Sequence, residues 1–278
     1  ERKRYSYERN YLSGIETVKK LVDEFDKISE EACSVGIGIP GFSSRQTGII
    51  TNANSLWLND KPFKKDLELA LNREVRLMND ANCFTLSEAV DGAGKDYQSI
   101  FGIIIGTGFG GGLSYNKSII EGSNQIAGDW GHQPLPYPTK EEQETKISCP
   151  SNNCGRPLCA EQFMSGIGFK DRFNQKHDTN FTSEEIVKLD LENDPRANLE
   201  LGLYEDRMAR LMAVMIGIFD PDAIILGGGM SNIDRFYKNI PSLIPKYTFS
   251  NKVETKVLKN FHGDSSGVRG AAWLWNNE

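Results

Sequence analysis

Ser99-Ile100-Phe101-Gly102-Ile103-Ile104-Ile105-Gly106-Thr107-Gly108 is an apolar run of strand length that stops on a glycine turn. It reads as a buried strand, with Gly112–Tyr115 starting another. Upstream, Ser34–Ile39 alternates as a short strand ended by Pro40-Gly41, and Gly48–Thr51 and Val75–Met78 read as further strands. Between them, Ile15, Val18, Leu21, Val22, Phe25 and Ile28 recur at helical spacing over residues 11–30. Asp66–Leu71 is a short helix, and Ala81–Val90 a longer one. Downstream the chain is more helical, over Ala160–Phe173, Ser183–Leu189 and Ala197–Phe219. Asp222–Leu226 is a strand running into Gly227-Gly228-Gly229, with a helix near Ile233–Ile240. A strand over Val253–Leu258 and a closing helix over Ser266–Trp275 complete the chain. Strands and helices mixed in this way define an α/β protein, with two successive lobes.

The surrounding 278 residues are 38% hydrophobic and 25% charged, enough apolar residues for a sizeable core. The run around Ile100–Ile105 is far short of a membrane helix. A net charge of −6 disfavours a sequence-independent nucleic-acid binder. The chain opens on Glu1-Arg2-Lys3-Arg4, without an initiator Met or an apolar signal segment. Five cysteines, three of them within residues 149–159, suit a metal site in a reducing, cytoplasmic setting better than a disulfide framework.

Three constellations carry chemistry. Gly106-Thr107-Gly108 and Gly227-Gly228-Gly229 end strands in turns whose amides can approach a phosphate, although ordinary strand-end turns look the same. Asn79-Asp80 sits where a strand gives way to a helix, the ligand-binding edge of an α/β sheet. Asp80 there could accept a hydroxyl proton, while its local sequence reads first as a helix N-cap. His132 with Cys149, Cys154 and Cys159 has the composition of a closed zinc site, or of a group of free buried thiols. Ser13 or Asn10 reads as a cap, Met208, Met212 and Met215 as core, and Glu141-Glu142 as a solvated face. His177 reads as a surface residue and His262 as a strand-end residue, and neither is assigned a role.

Longer strings carry a family resemblance. They are Val35–Gly41, Asn52-Ala53-Asn54-Ser55-Leu56-Trp57-Leu58-Asn59, Glu74–Cys83, Ser87–Ala93 and His262–Trp273. Together they resemble the ROK sugar kinases over nearly the whole chain, and within them the bacterial fructokinases of the mannofructokinase type. The resemblance implies a two-lobed actin/hexokinase-like (RNase H-like) fold. Residues 1–98, joined by the C-terminal helix 264–278, would form a small lobe, and residues 99–263 a large one. It implies ATP-dependent phosphorylation of a hexose 6-hydroxyl, with Mg²⁺, a structural Zn²⁺ and a homodimer. Fructose is the expected sugar, with N-acetylglucosamine or glucose, or a non-catalytic regulator, as alternatives. By match to the family's motifs, Asp80 is the catalytic base. Asn79, Asp129, His132, Glu161, Asn59 and Gly41 fall on the sugar pocket. Gly106, Thr107, Gly108, Gly227, Gly228 and Gly229 fall on the nucleotide turns, and His132, Cys154 and Cys159 on the zinc site, with Cys149 as the substitute fourth ligand or the site weakened.

Three departures stand out. Asp129 replaces the family's usual Glu. The segment CPSNNCGRPLC places Asn152 at the first cysteine position, with Cys149 three residues earlier. The family's opening D-x-G-G-T hairpin has no match, so on the plan the resemblance implies about two dozen residues are expected ahead of Glu1. The chain as given is therefore expected to bind sugar better than it turns over ATP.

Overall fold

The computed structural model describes residues 2–145, 147–150 and 154–275. Helix α1 (Tyr11–Ser29) starts on Asn10, whose side chain accepts the Ser13 N–H at 2.9 Å. After it come β1 (Val35–Ile39), β2 (Phe42–Ser43), β3 (Ile50–Thr51), α2 (Phe63–Leu71) and β4 (Val75–Asn79). β1 and β4 pair in parallel from Val35–Val75 to Ile39–Asn79, and β2 with β3 makes a small antiparallel hairpin. The apolar stripe of α1 (Tyr11, Ile15, Val18, Val22) packs with Leu67, Val75, Ile50 and Trp57 in the core of this first lobe.

Helix α3 (Asp80–Val90) leads to β5 (Ser99–Ile105), β6 (Phe109–Tyr115) and β7 (Ser118–Ile119). The helices α4 (Lys140–Gln143), α5 (Ala160–Met164), α6 (Gly166–His177), α7 (Ser183–Leu191) and α8 (Pro195–Phe219) follow. β8 (Ala223–Gly227), α9 (Arg235–Leu243), β9 (Lys256–Lys259) and α10 (Ser266–Trp273) close the chain. The second sheet has the order β7-β6-β5-β8-β9, with β5, β8 and β9 parallel. Its core joins Phe101, Ile103 and Ile105 to Phe163, Phe173, Tyr204, Met208 and Met212. The terminal α10 returns to α3 and β1, so closely that a Cβ on Gly270 would fall 1.6 Å from the Cys83 carbonyl oxygen.

Several sequence expectations are corrected here. The helix expected over Ala160–Phe173 is two helices, because Ser165 ends α5 and its hydroxyl caps α6 through the Gly168 N–H at 3.0 Å. The strand expected at Gly112 starts at Phe109, completing a full register with β5. Glu142 is not on a solvated face: it is 2% exposed, held by Arg207 at 2.6 Å and Arg210 at 2.8 Å, while Glu141 stays outside. His262 is not a plain strand-end residue, since its Nε2 pairs with Asp91 at 2.9 Å. Among the described residues no helix is long and apolar enough to cross a membrane.

Candidate active site

The ends of β4 and β5 face a cleft of about 600 Å³ between the two sheets. Gly41, Asn79, Asp80, Gly106, Thr107, Gly108, Asp129, His132, Cys154 and Glu161 all line it. A larger groove of about 880 Å³ lies beside the C-terminal end of α8 and contains none of the expected residues. The convergence of carboxyl groups, imidazole and glycine turn, not size, marks the smaller cleft as the site.

Asn79, not Asp80, caps α3. Its Oδ1 accepts the N–H groups of Ala81 at 2.9 Å and Asn82 at 3.3 Å, and its Nδ2 donates to the Gly41 carbonyl at 3.2 Å. One side chain thus starts the helix and ties down the turn that forms the cleft's upper edge. Gly41 itself has φ +82°, and a Cβ there would sit 2.5 Å from the Thr51 carbonyl oxygen. With the cap supplied by Asn79, Asp80 becomes the first helical residue and its carboxyl opens into the cleft. Protein surrounds it on the remaining sides, and this desolvation pushes the Asp80 carboxyl above its ordinary value, opposed by the Ala81 N–H at 2.8 Å.

The opposite wall is laced together by backbone bonds. Glu161, the second residue of α5, is 3% exposed; its N–H donates to the Gly131 carbonyl at 2.8 Å and its Oε2 accepts the Phe109 N–H at 3.1 Å. Gly131 passes so near that a Cβ would lie 1.8 Å from the Phe109 oxygen, which leaves glycine as the residue that fits. Asp129 and His132 flank this crossing. Burial raises the Asp129 carboxyl and the charge of Glu161 adds to that, while His132 and Arg156 act against it.

The bridge between Pro134 and Cys159 brings His132 beside the cysteine loop. Cys159 Sγ lies 3.4 Å from Cys149 Sγ, 3.5 Å from Cys154 Sγ and 3.6 Å from His132 Nδ1, and the four donor atoms all fall within 4.8 Å of one another. A tetrahedral zinc ion with Zn–S near 2.3 Å needs sulfurs about 3.8 Å apart, so this donor set fits zinc in number, type and spacing. Desolvation pushes the Cys159 thiol up to about 11 in the absence of a metal. Asn152 lies outside the described residues.

Two expectations are not met in place. Asn59 does not line the cleft: its amide is spent on its own loop, accepting the Ala53 N–H at 2.8 Å and donating to the Ala53 carbonyl at 3.0 Å. Gly227, Gly228 and Gly229 also lie outside the lined cavity, although on the same sheet edge. There Gly227 pairs with Ile104, and a Cβ on Gly228, at φ +81°, would meet the Ile105 oxygen at 2.4 Å. Conversely, Asn52, Asn54 and Arg156 line the cleft without having been singled out. The two asparagines stand within the Asn52–Asn59 string. Arg156 donates to the His132 carbonyl at 3.1 Å, and its position depends on a loop closure that no local pattern encodes.

The ROK family model matches residues 1–278. The N-acetyl-D-glucosamine kinase of Vibrio cholerae is 36% identical over 265 residues, covering 95% of this chain and 88% of that protein. That of Haemophilus influenzae is 35% identical over 270 residues, covering 96% and 88%. Among solved structures, the ROK hexokinase from Thermus thermophilus matches with a TM-score of 0.80 at 24% identity, over 93% of this chain and 84% of that one. A ROK glucokinase from Streptomyces griseus, in complex with glucose and AMPPNP, also matches at 0.80, with 21% identity over 99% and 91%. The two structures support the actin/hexokinase-like fold, and the curated relatives are N-acetylglucosamine kinases where the sequence strings pointed to fructokinases. Matched from end to end, the chain belongs to the ROK family, on the side of its sugar kinases.

Proposed function

We propose that this chain is an ATP-dependent hexose 6-kinase, acting on N-acetylglucosamine in preference to fructose. One observation carries the reading: Asp80, set free of capping by Asn79, opens into the same cleft as Asp129, His132, Glu161 and the Gly106-Thr107-Gly108 turn. The choice of sugar is supported by the two curated relatives and not by pocket shape.

In this reading Asp129, His132 and Glu161 bind sugar hydroxyls from one wall while Asn79 holds the Gly41 turn against the other. Asp80 accepts the proton of the 6-hydroxyl as its oxygen bonds to the γ-phosphorus of ATP. The bond from that phosphorus to the bridging oxygen breaks, and ADP leaves with the electron pair. The Gly106 N–H closes the turn on the Gly108 carbonyl at 3.0 Å, leaving the amides of Thr107 and Gly108 and the Thr107 hydroxyl for the phosphates, with Gly227–Gly229 beyond them on the same edge. Mg²⁺, when bound to ATP, supplies charge neutralisation on the phosphates. Zinc would be held by His132, Cys149, Cys154 and Cys159, and that coordination would fix the orientation of the His132 ring. The test is ADP release by the complete gene product with N-acetylglucosamine, glucose, mannose and fructose. Highest kcat/KM with N-acetylglucosamine is expected; preference for fructose overturns the sugar assignment, and inertness toward all four overturns the kinase.

A further inference from the structure

The cysteine loop brings a cation to the cleft. Arg156 lies between Cys154 and Cys159 in the chain and lines the cavity together with Asp129, His132 and Glu161. The loop around it is held at several points. The Leu135 N–H donates to the Leu158 carbonyl at 2.8 Å, the Ala160 N–H to the Gln133 carbonyl at 2.8 Å, and Arg156 Nη1 to the His132 carbonyl at 3.1 Å. Among the described residues that last bond is the one hydrogen bond of the guanidinium, so Nε and Nη2 remain unspent. The Arg156 charge bears on Asp129, opposing the desolvation that raises its carboxyl, yet the two form no ion pair among the described residues. Cation and acid thus border one space without closing on each other.

The remaining groups of this wall are mostly acceptors. Carboxylates at Asp129 and Glu161 accept hydrogen bonds and, when ionised, cannot donate them. The His132 ring turns Nδ1 to the Cys159 sulfur at 3.6 Å, which leaves it one nitrogen for a sugar. A hydroxyl both donates and accepts, so such a wall can hold any hexose. An acetamido carbonyl has no proton to give, and carboxylates alone would leave it unpaired. A guanidinium is its complement, a charged group that only donates. Asn52 and Asn54 also line the cleft, but a carboxamide donates and accepts alike and does not tell a carbonyl from a hydroxyl.

We propose that Arg156 is a specificity-determining residue, donating to the carbonyl oxygen of the sugar's 2-acetamido group. The proposal rests on the reading above, which sets the sugar against Asp129, His132 and Glu161, and it assigns the choice of sugar to one side chain. Glucose, with a hydroxyl on that carbon, lacks the carbonyl and forfeits the bond.

Calorimetric titration of the complete gene product with N-acetylglucosamine and with glucose, in the absence of ATP, separates this from turnover. The wild type should bind N-acetylglucosamine more tightly. Arg156→Ala should weaken that sugar about tenfold to a hundredfold and glucose less than about threefold, with zinc content unchanged. Arg156→Lys, which keeps a charged donor without the fork, should recover part of the loss. Equal weakening of both sugars, or none, overturns the proposal; equal weakening with zinc lost assigns Arg156 to fastening the loop on His132. Should Arg156→Ala not fold, Arg156→Gln carries the test: a loss confined to N-acetylglucosamine supports the assignment, and an equal loss or none overturns it. A wild type that binds the two sugars alike overturns it as well, whatever its turnover. If the wild type binds N-acetylglucosamine selectively but releases no ADP, the kinase reading falls alone, and the variants' affinities still decide Arg156.

Discussion

Asp80 at the cleft and Glu142 between α4 and α8 are both acids that the protein desolvates, and the fold treats them in opposite ways. Asp80 faces no cation within its own helix turn; desolvation dominates and its carboxyl is raised. Glu142 is desolvated as well, but hydrogen bonds from Arg210, the Thr139 N–H and Arg207 overcome this and hold it at about 2. Thr139 also caps α4 reciprocally with Glu142, so the acid is locked by its own helix and by α8 together. On the proposed reading, the acid that exchanges a proton is left short of partners, while the acid that holds structure is surrounded by them.

The largest expected effect breaks the cleft side of this contrast. Asp80→Asn removes the proton acceptor but not the cap, so the fold and sugar affinity should persist while kcat falls about 10²–10⁴-fold. In the wild type, kcat/KM should fall with acid as the Asp80 carboxyl protonates, with the midpoint above the ordinary 3.8. Full activity in the variant, or an acid limb below that value, would dismiss Asp80 as the base. The structural side is tested by Glu142→Ala, which leaves two buried guanidinium groups without their acid and should cost about 3–5 kcal/mol by urea unfolding, with wild-type kcat per folded molecule. The sign of its pH dependence follows from a lowered folded pKa. The stabilisation is complete above the unfolded value of 4.5 and is lost as pH falls toward about 2. Wild-type stability should therefore fall more steeply than that of Glu142→Ala between those limits.

Cys159→Ser should come next in size. Removing the sulfur at the centre of the cluster should lower bound zinc from about one ion per chain to near zero, read by metal analysis. Through His132, the sugar dissociation constant should rise with it. Zinc retained at the wild-type level would show that the four donors do not act as one site.

The same contrast explains what the sequence disclosed. The β5 strand, its glycine turn and the Asn79-Asp80 junction are local patterns, and their positions in the cleft follow from strand-end geometry. The division of labour between Asn79 and Asp80 was not legible, because both residues cap well and only the fixed Gly41 carbonyl selects Asn79. Glu142 looked solvated because α4 is four residues long, too short for a periodic face, and its arginine partners lie 65 and 68 residues away. The cysteines were legible as a cluster, yet their meeting with His132 needs the Pro134–Cys159 bridge. Asn59 shows the reverse failure, since a polar residue in a characteristic string is consumed by its own loop.

The smallest effect tests whether pairing or burial creates the contrast. Arg45 on the β2–β3 turn reaches Glu121 on the segment after β7 at 2.7 Å, joining the two lobes as Glu142 joins α4 to α8. Its geometry is as close as that of the buried pair, but Arg45 is 57% and Glu121 29% exposed. Water and salt screen such a pair, so Arg45→Ala should change stability by no more than about 1 kcal/mol, and that difference should vanish at high ionic strength. If Arg45→Ala instead matched Glu142→Ala in urea, distance alone would govern these ion pairs. Burial would then lose its place as the variable that decides how much a close ion pair contributes to the fold.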